Sequence, residues 1–121
     1  MWLTCRVDLN GGATIVRARG EIDAFTSVGL GQCLRQAMLD GHGRITLDLS
    51  EVTFIDGAGL RVLERCQRAC RDRGLFFGLR HPAPHIRRLL QLVDLDRELP
   101  VFDSPSEEHA DAAVRGASEP A

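Results

Sequence analysis

The stretch Phe54-Ile55-Asp56-Gly57-Ala58-Gly59-Leu60 joins a strand-like segment, Ile45-Thr46-Leu47-Asp48-Leu49-Ser50, to an amphipathic helix. A helix beginning there presents free backbone N–H groups and the positive end of its dipole. Such a turn can hold an anion or display a hydroxyl for phosphorylation. Here Gly57 and Ala58 stand where a hydroxyl is expected. Asp56 suits the helix N-cap, which is compatible with lying at a docking surface. Gly57 and Gly59 each cost up to about 1 kcal/mol of helix propensity relative to Ala. Either the turn geometry calls for them or a partner backbone or anion approaches closely.

Other residues able to do chemistry are scattered. Cys66 and Cys70 lie four apart, Cys5 and Cys33 are isolated, and no Cys-x-x-Cys pair with a nearby His completes a zinc site. The first two fall on an apolar helical stripe and read as small core residues. A redox role needs one of them beside another cysteine, such as Cys5 or Cys33. His42, His81, His85 and His109 have no metal-ligand spacing, and His81 and His85 flank two prolines as surface residues. There is no Ser-His-Asp set, no Walker-type glycine loop and no paired-carboxylate site. The chain therefore reads as a binding module without cofactor, and not as an enzyme.

With 121 residues, 44% apolar and 26% charged, the composition is that of one ordinary globular domain. A net charge of −2 supplies no global basic field for nucleic acid or anionic membrane. All fifteen basic residues are Arg, a bias that fits a GC-rich genome better than a function. No signal peptide or membrane-length apolar run is visible, so the expected location is the cytoplasm, with thiols mostly reduced.

The elements that hold the turn follow from periodicity. Residues 2–9 alternate as a strand, Asn10-Gly11-Gly12 is a hairpin turn, and Ala13 to Arg19 is the partner strand, ended by Gly20. Glu21-Ile22-Asp23 leads through a loop to a helix from Thr26 or Ser27, both plausible N-caps, to Asp40. Its apolar face is Leu30, Cys33, Leu34, Ala37 and Met38. Residues 44–49 form the third strand. A second helix runs from the Asp56 turn to Arg73 and stops at Gly74. Leu60, Leu63, Cys66 and Cys70 make its stripe, with Arg61, Glu64, Arg65, Arg68 and Asp72 on the opposite arc. That arc is a solvated face or, given the adjacent turn, the Arg-rich rim of an interface. Leu75 to Leu79 is a strand, Pro84 opens a short helix carrying Ile86, Leu89, Leu90 and Val93, and Leu99 to Phe102 is a last strand. Ser104-Pro105-Ser106-Glu107-Glu108 starts a final helix. The order implies a mixed α/β sheet of about five strands, with an initial hairpin and three to four helices mainly on one face.

These motifs together resemble the STAS domain of anti-sigma factor antagonists, small bacterial proteins that free a sigma factor by capturing its anti-sigma partner. Gly20-Glu21-Ile22-Asp23, Leu47-Asp48-Leu49-Ser50, and Val52-Thr53-Phe54-Ile55-Asp56 followed by Gly59-Leu60 carry the resemblance. Ile86-Arg87-Arg88-Leu89-Leu90 through Leu95-Asp96, and Leu99-Pro100-Val101-Phe102, add to it. It places a STAS domain at residues 3–112 and a disordered tail at 113–121. It implies a partner of the histidine-kinase-like ATPase fold, captured by unphosphorylated antagonist and released when a Ser after the Asp is phosphorylated. Gly57 occupies that position, so the usual switch is missing. The resemblance assigns partner binding to Asp23, Thr26, Asp56, Gly57, Ala58, Gly59 and Arg61. Asp23 is otherwise a cap or a solvated acid, and Thr26, Ser27, Ser50 and Thr53 are candidate substitute phosphoacceptors. Rival expectations are a STAS subunit of an ABC-transporter or sensory complex, and a small anion- or nucleotide-binding module using the N–H groups of Gly57, Ala58 and Gly59. The expected state is a monomer or weak dimer.

Overall fold

The computed structural model describes residues 2–10, 12–40 and 43–103. The expected final helix, the tail and the limit at residue 112 lie outside them. β1 (Leu3–Asn10) and β2 (Ala13–Ile22) form the antiparallel hairpin, with Gly12 at φ 85° in the turn. α1 (Thr26–Asp40), β3 (Arg44–Ile55), α2 (Gly57–Asp72), β4 (Phe76–Arg80), α3 (Pro84–Leu92) and β5 (Val101–Phe102) follow. A single 3₁₀ turn, Leu95–Arg97, precedes β5. The sheet order is β1-β2-β3-β4-β5, and every pair after the first is parallel. Crossovers between sequential parallel neighbours, which as a rule share one hand, bring the helices to one face, as the alternation of elements implied.

Ile45, Leu47 and Leu49 of β3 join Val16, Leu79 and helix residues Leu30, Leu34, Leu63, Ile86 and Leu90 in one core. With the strand period of two, Thr46 and Asp48 face the other way. Arg17 Nη1 lies 2.9 Å and Arg80 Nε 3.2 Å from Asp48 Oδ2, and Arg17 Nε also lies 2.8 Å from Asp8 Oδ2. That second face is thus held by an ion-pair row crossing four strands.

Several expected boundaries shift. β2 does not end at Gly20 but continues to Ile22, and β3 continues past Ser50 to Ile55. The extensions pair with each other, Gly20 with Val52 and Ile22 with Ile55, and two irregularities in β2 absorb the register change. Gly20 takes φ 119°, and a Cβ there would lie 2.3 Å from the Trp2 carbonyl oxygen. Its glycine character serves a bulge and a close approach. Leu60 is only half-buried, because Gly59 takes the inner position of the first turn of α2. Val93 is exposed, and Leu95 fills the core in its place.

Candidate functional site

Two Ile-Asp pairs stand side by side. Ile22-Asp23 closes β2, Ile55-Asp56 closes β3, and Ile22 pairs in register with Ile55. The Asp56 N–H donates to the Ile22 carbonyl at 3.1 Å, tying the two strand ends together. Each aspartate then caps the helix that follows. Asp56 Oδ1 accepts from Ala58 N at 2.9 Å and Gly59 N at 3.1 Å, and its carbonyl accepts the Leu60 N–H at 3.0 Å.

Asp23 works the same way, which corrects the expectation that Thr26 or Ser27 is the N-cap of α1. Its Oδ1 accepts from the backbone N–H groups of Phe25 and Thr26, both at 2.9 Å, and its carbonyl accepts from Ser27 N at 2.8 Å. The Thr26 hydroxyl reciprocates, accepting from Asp23 N at 2.8 Å and donating to the Glu21 carbonyl at 2.7 Å. This is a capping box with Thr in place of Glu. The Thr26 amide holds the Asp23 carboxyl below the usual carboxylate range. Asp23 is 6% exposed, so it supports the surface from beneath.

Gly59 has a packing reason. A Cβ there would lie 2.6 Å from both Ile22 Cγ2 and Ile55 Cγ1, so α2 rests directly on the two strand ends. Gly57 is different. It is exposed, and a Cβ there would meet only Arg61 Nη1, at 3.6 Å. The small-anion expectation loses most of its donors, because the Ala58 and Gly59 N–H groups already serve Asp56. The Asp56 carboxylate also places like charge beside any anion arriving there.

Sequence pattern missed the residues that give this face its area. Phe25, at 89% exposed, and Val28, at 62%, stand out from the start of α1. Between α1 and α2 runs a groove of about 370 Å³ lined by Val28, Gly31, Arg35, Ala58, Arg61 and Arg65 among others. One signal for Phe25 was present: a large apolar residue two positions after a capping Asp sits in the first turn, off the buried stripe. Nothing in the pattern marked Arg35 as facing Arg61 and Arg65.

Among the substitute hydroxyls, Thr26 is committed to the cap and Ser27 is buried, donating to the Ala24 carbonyl at 3.3 Å. Ser50 and Thr53 are exposed. The cysteines form two pairs, Cys66 with Cys70 in the core and Cys5 of β1 with Cys33 of α1. Burial and the Cys33 thiol push the Cys5 thiol up to about 12. The Cys66 thiol is raised by its hydrogen bond with Cys70 and by burial. His85 is exposed, with Nε2 2.9 Å from the Thr53 carbonyl oxygen. Among the described residues no helix is long and apolar enough to cross a membrane.

Adjacent strand ends of a mixed sheet thus launch two capped helices, with exposed apolar and arginine side chains around a bare turn. The STAS domain family model, described as Mlab, STAS domain, matches residues 5–101, and the chain belongs to that family. It is 26% identical over 102 residues to the anti-sigma-F factor antagonist RsfB of Mycobacterium tuberculosis, covering 84% of this chain and 83% of the relative. The crystal structure of an anti-sigma factor antagonist from Mycobacterium paratuberculosis matches with a TM-score of 0.77 at 29% identity, covering 94% of this chain and 95% of that one. The unphosphorylated form of the anti-sigma factor antagonist SpoIIAA shares the fold, with a TM-score of 0.67 at 20% identity over 93% of this chain and 99% of that one.

Proposed function

We propose that this chain is an anti-sigma factor antagonist-like binding module that captures an anti-sigma factor of the histidine-kinase-like ATPase fold, regulating sigma-factor-dependent transcription without a phosphate switch at residue 57. The observation that carries this reading is the Asp56 turn. Its backbone is fixed by a side-chain cap and a buried Gly59, and it offers no hydroxyl at Gly57 or Ala58. Asp56, Gly57, Ala58 and Arg61 would touch the partner, while Asp23, Thr26 and Gly59 hold that surface in shape. Phe25 and Val28 add apolar contact area of the kind interface centres use. The role is binding, not catalysis.

The test mixes the purified chain with the anti-sigma factor of the same genome, with and without ATP, and measures complex formation and intact mass. Capture that is equal in both conditions, with no mass gain, is the expected result. Absence of capture, or a phosphate on this chain that releases the partner, refutes the proposal.

A further inference from the structure

Seven of the fifteen arginines, Arg87 with Asp103 among them, pair with the chain's own carboxylates. Arg6, Arg17, Arg19, Arg68, Arg80 and Arg97 each lie 2.7–3.6 Å from an Asp or Glu oxygen. Arg35, Arg61 and Arg65 do not. Among the described residues none of these three side chains has an ion-pair or hydrogen-bond partner, yet all three line the same α1–α2 groove. Arg61 and Arg65 are one helical turn apart and so project from one bank. Arg35 projects from the other. Like charges brought to one groove repel each other. In a chain of net charge −2 this is a local reversal of sign.

The space between the banks is mixed, with Val28, Gly31, Ala58 and Val62 supplying its apolar part and Ser27 and Gln32 lying among them. Gly31 of α1 and Val62 of α2 meet there, where a Cβ at residue 31 would make an ordinary contact of 3.8 Å with Val62 Cγ1. Val28 rises at the rim, and a smaller hollow of about 140 Å³ continues past Arg35 and Arg65 over Leu34, Met38 and Cys66. Cations on both banks with Val28 and Val62 between them suit an amphipathic helix whose carboxylates are spaced by one turn and flank an apolar anchor. A nucleic acid fits less well. The groove's cations stand on two banks separated by Val28 and Val62 and form no continuous cationic track, and the Asp56 carboxylate caps α2 at one end of it.

We propose that the α1–α2 groove is the dock for an acidic amphipathic helix of the protein partner, with carboxylates on Arg35, Arg61 and Arg65 and an apolar side chain against Val28 and Val62. This rests on the partner-capture function proposed above and gives that partner a chemistry. It also assigns a use to the empty position 57. With no side chain there, the Arg61 guanidinium stays available to a partner carboxylate instead of folding onto a phosphate in its own chain.

The experiment uses two probes on the full chain. The first is a synthetic amphipathic helix with glutamates one turn apart, its control carrying glutamines, followed by NMR of the labelled protein. The second is the purified anti-sigma factor of the same genome. Expected are shifts confined to the groove for the glutamate peptide, absent for the glutamine control. Arg35→Glu, Arg61→Glu and Arg65→Glu combined should weaken both probes by about tenfold or more, with the loss reduced at high salt. Arg71→Glu and Arg88→Glu, at exposed arginines outside the groove, should change neither. Equal effects of the outside reversals, or no effect of the groove reversals on either probe, overturn the proposal. Should the peptide bind in the groove while no anti-sigma factor binds, the dock stands and the partner-capture function falls. Should the anti-sigma factor bind and ignore the groove reversals, the function stands and the dock falls. Neutral Arg→Gln variants, which keep the side-chain stems, must give an intermediate loss; none at all also overturns it.

Discussion

At Gly59 two residue-level tendencies oppose each other. Replacing a helical Gly by Ala gains up to about 1 kcal/mol from backbone entropy. A methyl group at this position, however, would sit 2.6 Å from Ile22 and Ile55 side-chain carbons, which belong to two different strands. Both are buried in the core and cannot both retreat without moving α2 outward. Overpacking of this kind costs roughly 1–3 kcal/mol, so packing wins. Gly59→Ala is expected to lower stability in denaturant titration, while Gly57→Ala, in open space, holds or raises it. Equal responses of the two would remove the packing account. The same contrast explains what could be read beforehand. The sequence marks both glycines as odd in a first turn, but only the fold distinguishes the one over two strand ends from the one in solvent.

At the scale of the element, β3 is the organising strand. It runs 12 residues, pairs with β2 and β4, and ends at the Asp56 cap. Asp48 anchors its helix-free face: the side chain is 4% exposed and bound to Arg17 and Arg80, and its Oδ1 accepts the Ser50 N–H at 2.8 Å. Losing one member of a buried ion pair costs about 3–5 kcal/mol, and the partly solvated Arg17 brings the expectation for Asp48→Ala to roughly 2–3 kcal/mol. Asp8→Ala, at the half-exposed end of the row, should cost under about 1 kcal/mol. Chemical unfolding of both variants checks this, and a loss at Asp8 matching that at Asp48 rules out burial as the cause. The hairpin and α2 were legible because alternation, Asn10-Gly11-Gly12, Asp56 and Gly74 are local signals. The full lengths of β2 and β3 were not, because Gly20 and Ser50-Glu51 look like terminators. Pairing with a neighbouring strand overrides them.

For the whole molecule, the turn holding residue 57 and the fold that supports it are independent. The cap comes from Asp56, the seat from Gly59 on Ile22 and Ile55, and the neighbouring helix start from the Asp23–Thr26 box. None of these uses a side chain at 57, where a Cβ meets only Arg61 Nη1. Gly57→Ser should therefore leave the fold and partner capture intact while restoring an acceptor at the helix N-terminus. Phosphorylation there would add nearly two negative charges, which the α2 dipole and Arg61 would hold. The charge would then lie at the centre of the proposed docking face, and its pairing with Arg61 would remove a cation from the groove. The expected outcome is a variant that binds its anti-sigma factor like wild type without ATP and dissociates as phosphate accumulates, whereas wild type stays bound. Capture by Gly57→Ser measured over time with ATP, beside phosphate incorporation by mass, decides it. A variant that is phosphorylated yet remains bound would show that the face around residue 57 is not where the partner docks.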